Sequence, residues 1–190
     1  MSRMQLARVV VELQGPVALG AGGVDDVLDA PIVLDADGLP ALPGSSVGGV
    51  LRSIASENHP EDTVDGWFGN VKGDAGTPSL VWVSWGRPHG ADDIPVAPRL
   101  LGGAHDDPVL DAIRGTVVRD HVRLNSHGAV ADRGKFDRSF VPGGVRFTLE
   151  LRVDEGGPPM DRLIGWLHQA SVGGSTRAGF GRLRVVRATF

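Results

Sequence analysis

A chain of 190 residues with 41% hydrophobic and 22% charged residues has apolar material for one core, too little length for two ordinary domains, and a composition that excludes wholesale disorder. The absence of cysteine excludes disulfides and thiolate nucleophiles or ligands, and nothing points to an oxidising compartment. A net charge of −4 taken whole argues weakly against nucleic acid, but its distribution reverses that: no acid follows Asp161 while Arg162, Arg177, Arg182, Arg184 and Arg187 do, and Asp25, Asp26, Asp29, Asp35 and Asp37 crowd one early segment.

Leu6 to Leu13, LARVVVEL, is β-branched and bounded by QGP, which predicts a first, mostly buried strand. Gly15 to Pro43 reads as a long Gly/Asp/Pro-rich loop broken by the apolar run PIVL. SSVGGVLRSIASEN predicts a helix capped by Ser45 or Ser46, with Val47, Val50, Leu51 and Ile54 on one face. SLVWVSW predicts a second strand, and RGTVVRDHVRLN a third that leads into a polar, hairpin-like excursion, SHGAVADRGKFDRS. In GVRFTLELRV strict alternation sets Val145, Phe147, Leu149, Leu151 and Val153 against Arg146, Thr148, Glu150 and Arg152. PPMDRLIGWLHQA, with Met160, Leu163, Ile164 and Leu167 on one stripe, predicts a second helix, and LRVVRATF a last strand. The order strand, helix, strand, strand, helix, strand is the split βαβ pattern. It predicts an α+β chain with a single ferredoxin-like (RRM-like) βαββαβ domain over 1–190, carrying insertions over roughly 15–43 and 86–142. The N-terminus lacks a leader pattern and no stretch is apolar enough to span a bilayer, so a cytoplasmic protein is expected.

Two phrases carry candidate chemistry. GGSTRAGFGR, Gly173 to Arg182, packs four glycines and two arginines into ten residues, which implies a sharp backbone path or the close approach of a ligand. Taken alone, it suits a tight helix-to-strand connection. LPALPGSSVGGVLRS contains G-x-S-x-G, which would make Ser46 the nucleophile of a small serine hydrolase, with an aspartate and His121, His127 or His168 as partners. Such an elbow needs a buried strand directly before the turn, and Pro40 and Pro43 stand there. The six histidines show no metal-ligand spacing. His121 and His127 fit solvated or hydrogen-bonded roles, Trp67, Phe68, Trp82 and Trp85 fit core roles, and the early aspartates taken singly fit turns.

Together and in this order, the two phrases resemble the RAMP superfamily of CRISPR proteins, especially the backbone subunits of type III effector complexes. Those subunits pair an early PGSS-x-K-G-x-x-R helix start, matched by Pro43, Gly44, Ser45, Ser46, Gly49 and Arg52, with a late GG-x-x-x-x-GFGR loop, matched by Gly173, Gly174, Gly179, Phe180, Gly181 and Arg182. Gly48 stands where the family usually has lysine. The segment from Asp120 to Phe147 also resembles the family's thumb-like hairpin and the strand after it, and WFGN its FG segment. The resemblance implies guide RNA and complementary target RNA as partners, together with other effector subunits, including copies of the chain itself. It implies RNA contacts from Gly44, Ser45, Ser46, Arg52, Arg123, Lys135, Gly174, Arg177, Gly179, Phe180 and Arg182, with the excursion from Arg123 to Arg138 as the thumb. Aligning Pro31, Asp35 and GLP with the loop of cleaving subunits implies Asp29 as the residue on which cleavage depends, assisted by a divalent cation such as Mg²⁺. A scaffold of the same fold that binds RNA without cutting it is the alternative. The physics is compatible: backbone N–H groups at a helix start or in a glycine loop cradle phosphate oxygens, and arginines add forked donors.

Overall fold

The structure is a computed structural model, and it describes residues 3–20, 32–72, 75–97, 106–114, 117–124 and 127–190. In chain order the elements are β1 (Gln5–Leu13), α1 (Gly44–Asn58), α2 (Glu61–Phe68), β2 (Asn70–Lys72), β3 (Ala75–Thr77), β4 (Val81–Val83), β5 (Arg87–Pro88), α3 (Pro108–Arg114), β6 (Val117–Leu124), β7 (Val130–Phe140), β8 (Arg146–Val153), α4 (Met160–Gln169) and β9 (Leu183–Thr189). Alternation builds the centre. β1 and β8 pair antiparallel with Val9 opposite Leu149, so Ala7, Val9, Val11 and Leu13 share a buried face with Phe147, Leu149, Leu151 and Val153. The strand order is β4-β8-β1-β9, every neighbouring pair antiparallel, with β5 continuing along β8.

Val47 and Leu51 of α1 and Met160, Leu163 and Leu167 of α4 join the same core cluster, so both helices cover one sheet face. Fully burying a leucine contributes about 1.5–3 kcal/mol, and Leu51, Leu163 and Leu167 are each 0% exposed. These residues fix the helices on the sheet. No helix among the described residues is long and apolar enough to cross a membrane.

Several expectations need correction. The third expected strand is not part of the main sheet: β6 pairs only with β7, as a separate two-stranded hairpin. Its valines explain why, since Val117 and Val118 are adjacent and both remain exposed, leaving no single apolar face to bury. The hairpin is also longer than the expected excursion, reaching back to Val117 and on to Phe140. Neither serine caps α1. Its N-cap is Pro43, without a side-chain cap bond, because Gly44 packs so tightly on β4 that a Cβ would lie 2.1 Å from the Val83 carbonyl oxygen. Trp82 and Trp85 are about half exposed rather than in the core. α2, α3 and the β2–β3 hairpin were not expected at all. Yet α2 has a legible start: Pro60 followed by Glu61 and Asp62 in the first turn.

Candidate nucleic-acid interface

The glycine loop is closed at its base. Ser171 bridges Arg182, and the Val172 N–H donates to the Gly181 carbonyl at 2.9 Å. Within it Gly173, Gly179 and Gly181 all take left-handed backbone, at φ of 80°, 83° and 75°. Two of these glycines are demanded by packing: a Cβ would lie 2.3 Å from the Ala18 carbonyl oxygen at Gly173 and 1.9 Å from that of Val172 at Gly181. Gly174 and Gly179 differ, since a Cβ at either would meet nothing closer than 3.9 Å. These two leave open space above the backbone, and because Gly179 is also left-handed, Gly174 alone of the four has neither a packing nor a conformational reason to be glycine.

Two distant segments meet this loop. The foot of the β6–β7 hairpin reaches it through Phe140, which stands edge-on to Phe180 at 5.1 Å between ring centroids, and through Arg138, which donates to the Ser175 hydroxyl. Phe180 is half-buried in that contact, which gives it a structural role here. The stretch after β1 arrives by paired bonds between Val17 and Val141 and by the Gly174 N–H, which donates to Ala18 at 2.8 Å. Gly20 then bridges Ile32, so the acidic segment departs and returns beside the loop. Asp29 lies outside the described residues. Asp35, just beyond, accepts from the Asp37 and Leu39 N–H groups at 2.9 Å each and shapes a turn.

Arg177 and Arg182 are exposed and have no ion pair among the described residues. Arg52 is different. Its guanidinium turns inward to the Gly69 carbonyl and to Asp65, whose side chain is 9% exposed. Ser45 and Ser46 are exposed in the first turn of α1, and Gly44 is buried against β4. Ser46 has no histidine partner among the described residues, and the residues before it form isolated bridges, not an elbow's strand. The helix start packs at β4 and the glycine loop closes beside β9, so the two motifs stand over opposite edges of the sheet. Lys135 pairs with Val122 in the hairpin ladder, and Arg123 sits at the register shift between Val122 and Leu124.

A charged network on the sheet face opposite the helices escaped the sequence reading. Glu12 accepts from Arg146 Nε at 3.0 Å and from Arg184 Nη2 at 2.7 Å, and Arg146 also donates to Asp93 at 2.8 Å. Burial works to raise the Glu12 carboxyl, but the Arg146 hydrogen bond and both guanidinium charges outweigh it and hold the group below its ordinary value. The hydrogen bond from His89 chiefly holds Asp93 low, with Arg146 assisting against burial. The bond to Glu12, against burial, raises Arg146, which is thereby fixed as a cation. His89 itself is buried between Asp93 and the Thr148 hydroxyl, at 2.8 and 2.7 Å. Alternation placed Arg146 on this face, but its partners lie 53 and 134 residues away, and only the register reveals them.

The sequence model of the RAMP superfamily matches residues 10–184. No curated protein matches the sequence. Among solved structures, a chain of a "Type IV-B CRISPR Complex" is similar with a TM-score of 0.64 at 18% identity, covering 97% of this chain and 90% of that one. Two chains of type III-B Cmr-beta complexes each align with 96% of this chain and 97% of their own. One comes from the apo state, with a TM-score of 0.67 at 14% identity, and the other from the complex bound to cognate target RNA, with 0.68 at 13%. At these identities the likeness is one of fold.

Proposed function

The chain belongs to the RAMP superfamily, and from that premise we propose that it is a backbone subunit of a type III CRISPR ribonucleoprotein that binds guide RNA and cleaves complementary target RNA. One observation carries the reading: the glycine loop with Arg177 and Arg182, which have no ion pair among the described residues, the foot of the hairpin, and both ends of the acidic segment converge at one place. In this reading the order β4-β8-β1-β9 with its two helical crossovers is the ferredoxin-like core. The β6–β7 hairpin is the thumb, and neighbouring copies or other effector subunits complete the RNA path. A similar fold occurs in a complex bound to cognate target RNA, which supports RNA as the partner.

Phosphates lie against the backbone of Gly174 and Gly179, where no side chain intervenes, and are held by Arg177 and Arg182. Cleavage needs little covalent chemistry from the protein. The substrate's 2′-oxygen attacks the adjacent phosphorus in line, the bond to the 5′-oxygen breaks, the 2′-hydroxyl gives up its proton and the departing 5′-oxygen gains one. The products are a cyclic phosphate and a free 5′-hydroxyl. Asp29 holds or accepts the proton at the 2′-hydroxyl. Among the described residues no three acidic or histidine side chains converge as a cation cage.

The test assembles complexes with Asp29→Ala, with Asp26→Ala and with the unmodified chain, then follows a labelled complementary RNA with and without chelator. Asp29→Ala abolishes cutting and leaves guide and target binding nearly intact. Normal cutting by Asp29→Ala with none by Asp26→Ala would overturn the assignment of the acid. No cutting by any of the three leaves the chain as an RNA-binding scaffold.

A further inference from the structure

β9 is an edge strand, so its outward backbone N–H groups need partners beyond the sheet. The Leu183 N–H finds the Ala170 carbonyl at 2.9 Å, and the Val185 N–H finds Nδ1 of His168, in the last turn of α4, at 3.2 Å. Accepting at Nδ1 requires a lone pair there, which puts the ring proton on Nε2. His168 is exposed, and its Nε2 has no partner among the described residues. The result is a donor fixed in direction by the strand it caps.

Beside this donor opens a cavity of about 410 Å³ walled by His168, Gln14, Gln169, Gly179, Arg182 and Arg184, with no acid in its lining. Arg182 is anchored through its backbone, bridging Ser171 on one side and accepting from the Gln14 N–H at 2.8 Å on the other. Glu12 stands behind the wall and orients it, accepting from Gln14 Nε2 at 3.1 Å and from Arg184 Nη2 at 2.7 Å. Arg146 and Arg184 answer its charge, so among the described residues Arg182 is left as the unmatched cation of the pocket. A pocket of this size suits a single phosphate with its sugar, not a duplex.

Resting on the RNA reading above, we propose that this pocket seats one phosphate group, held by the Arg182 guanidinium and by the Nε2–H of His168. The pocket gives the RNA backbone a fixed register on each copy of the chain, where the open loop alone offers only a track of positive charge.

His168→Asn separates this role from strand capping. The asparagine oxygen takes the place of Nδ1 toward Val185, and the distal donor disappears. The unmodified chain, His168→Asn, Arg182→Ala and Arg177→Ala are compared by fluorescence anisotropy with a labelled RNA oligonucleotide. Inorganic phosphate and a nucleoside 5′-monophosphate are then added at constant ionic strength while the His168 imidazole ¹⁵N resonances are followed. His168→Asn weakens RNA binding about tenfold, the loss of one charge-assisted hydrogen bond, with its melting temperature unchanged, and RNA shifts the Nε2 resonance. Wild-type affinity in His168→Asn, with Arg177→Ala weakened, overturns the pocket and leaves the RNA reading standing. A resonance that moves with phosphate while RNA fails to bind keeps the pocket as a site for free phosphate and overturns RNA as its source. No response to either overturns both.

Discussion

Gly181 tests whether the glycine loop is built by packing or by its ligand. Its φ is 75°, and an added Cβ would lie 1.9 Å from the Val172 carbonyl oxygen. Left-handed backbone costs a residue with a side chain about 1–2 kcal/mol, and forcing bulk into a closed contact adds about 1–3 kcal/mol. Neither partner can retreat, because the Val172 N–H donates to the Gly181 carbonyl at 2.9 Å and the Gly181 N–H to that of Pro16 at 2.8 Å. Gly181→Ala should therefore lower stability by about 2–5 kcal/mol, a fall in melting temperature on the order of 10 °C for a chain of this size. Gly179→Ala meets no atom within 4 Å and carries only the left-handed cost, and Gly174→Ala meets nothing closer than 3.9 Å without any positive φ. Thermal and urea unfolding of the three variants, followed by RNA binding of each while folded, should give opposite orders. Gly181→Ala loses most stability, and Gly174→Ala loses RNA affinity with little change in melting. A Gly181→Ala protein that melts within a degree or two of the unmodified chain would refute the packing argument.

Arg52→Met should cost about 2 kcal/mol, because the Asp65 carboxylate loses its guanidinium in a half-buried site, while RNA affinity of the folded protein stays unchanged; an affinity loss matching that of Arg177→Ala would instead put Arg52 on the RNA. Glu12 is held below its ordinary value of 4.5, so its contribution is present above that pH and is lost as pH falls through the folded-state value. Urea unfolding of Glu12→Gln below pH 5 should show a flatter acid limb than the unmodified chain, and parallel limbs would sink the assignment. Arg177→Ala and Arg182→Ala should each weaken unrelated RNAs alike and reduce the salt slope by about one contact; a loss confined to one RNA sequence contradicts phosphate binding.

Much of the framework was legible because its signals are local. The alternation around Phe147, Leu149 and Leu151 and the stripe of Met160, Leu163 and Leu167 each state which side of an element is buried, and the structure buries those residues. The segment now seen as β6 carried β-branched residues of the same kind, but composition cannot say which sheet a strand joins. The decisive fact, that Val117 and Val118 fall on opposite faces of a ribbon paired only with β7, emerges from pairing. The cap of α1 was misread for a related reason. Ser45 and Ser46 are good capping residues, yet the packing of Gly44 on β4, some forty residues later in the chain, sets where the helix begins.

The site shows the same division more sharply. The five arginines after Asp161 looked alike in sequence, and the fold sorts them. Arg184 is tied to Glu12, 172 residues away, and Arg162 lies 3.4 Å from His59, whereas Arg177, Arg182 and Arg187 have no ion pair among the described residues. The glycines divide likewise into two that close the loop on Ala18 and Val172 and two that leave its surface bare. A chain with a net charge of −4 can therefore attract phosphate locally: Glu12 is already matched by Arg146 and Arg184, and Arg177 and Arg182 have no ion pair among the described residues. With about 0.7 counterions released per phosphate contact on a single strand, Arg177, Arg182 and Arg187 by themselves give a weak, strongly salt-sensitive grip, which several copies engaging one RNA at once would multiply.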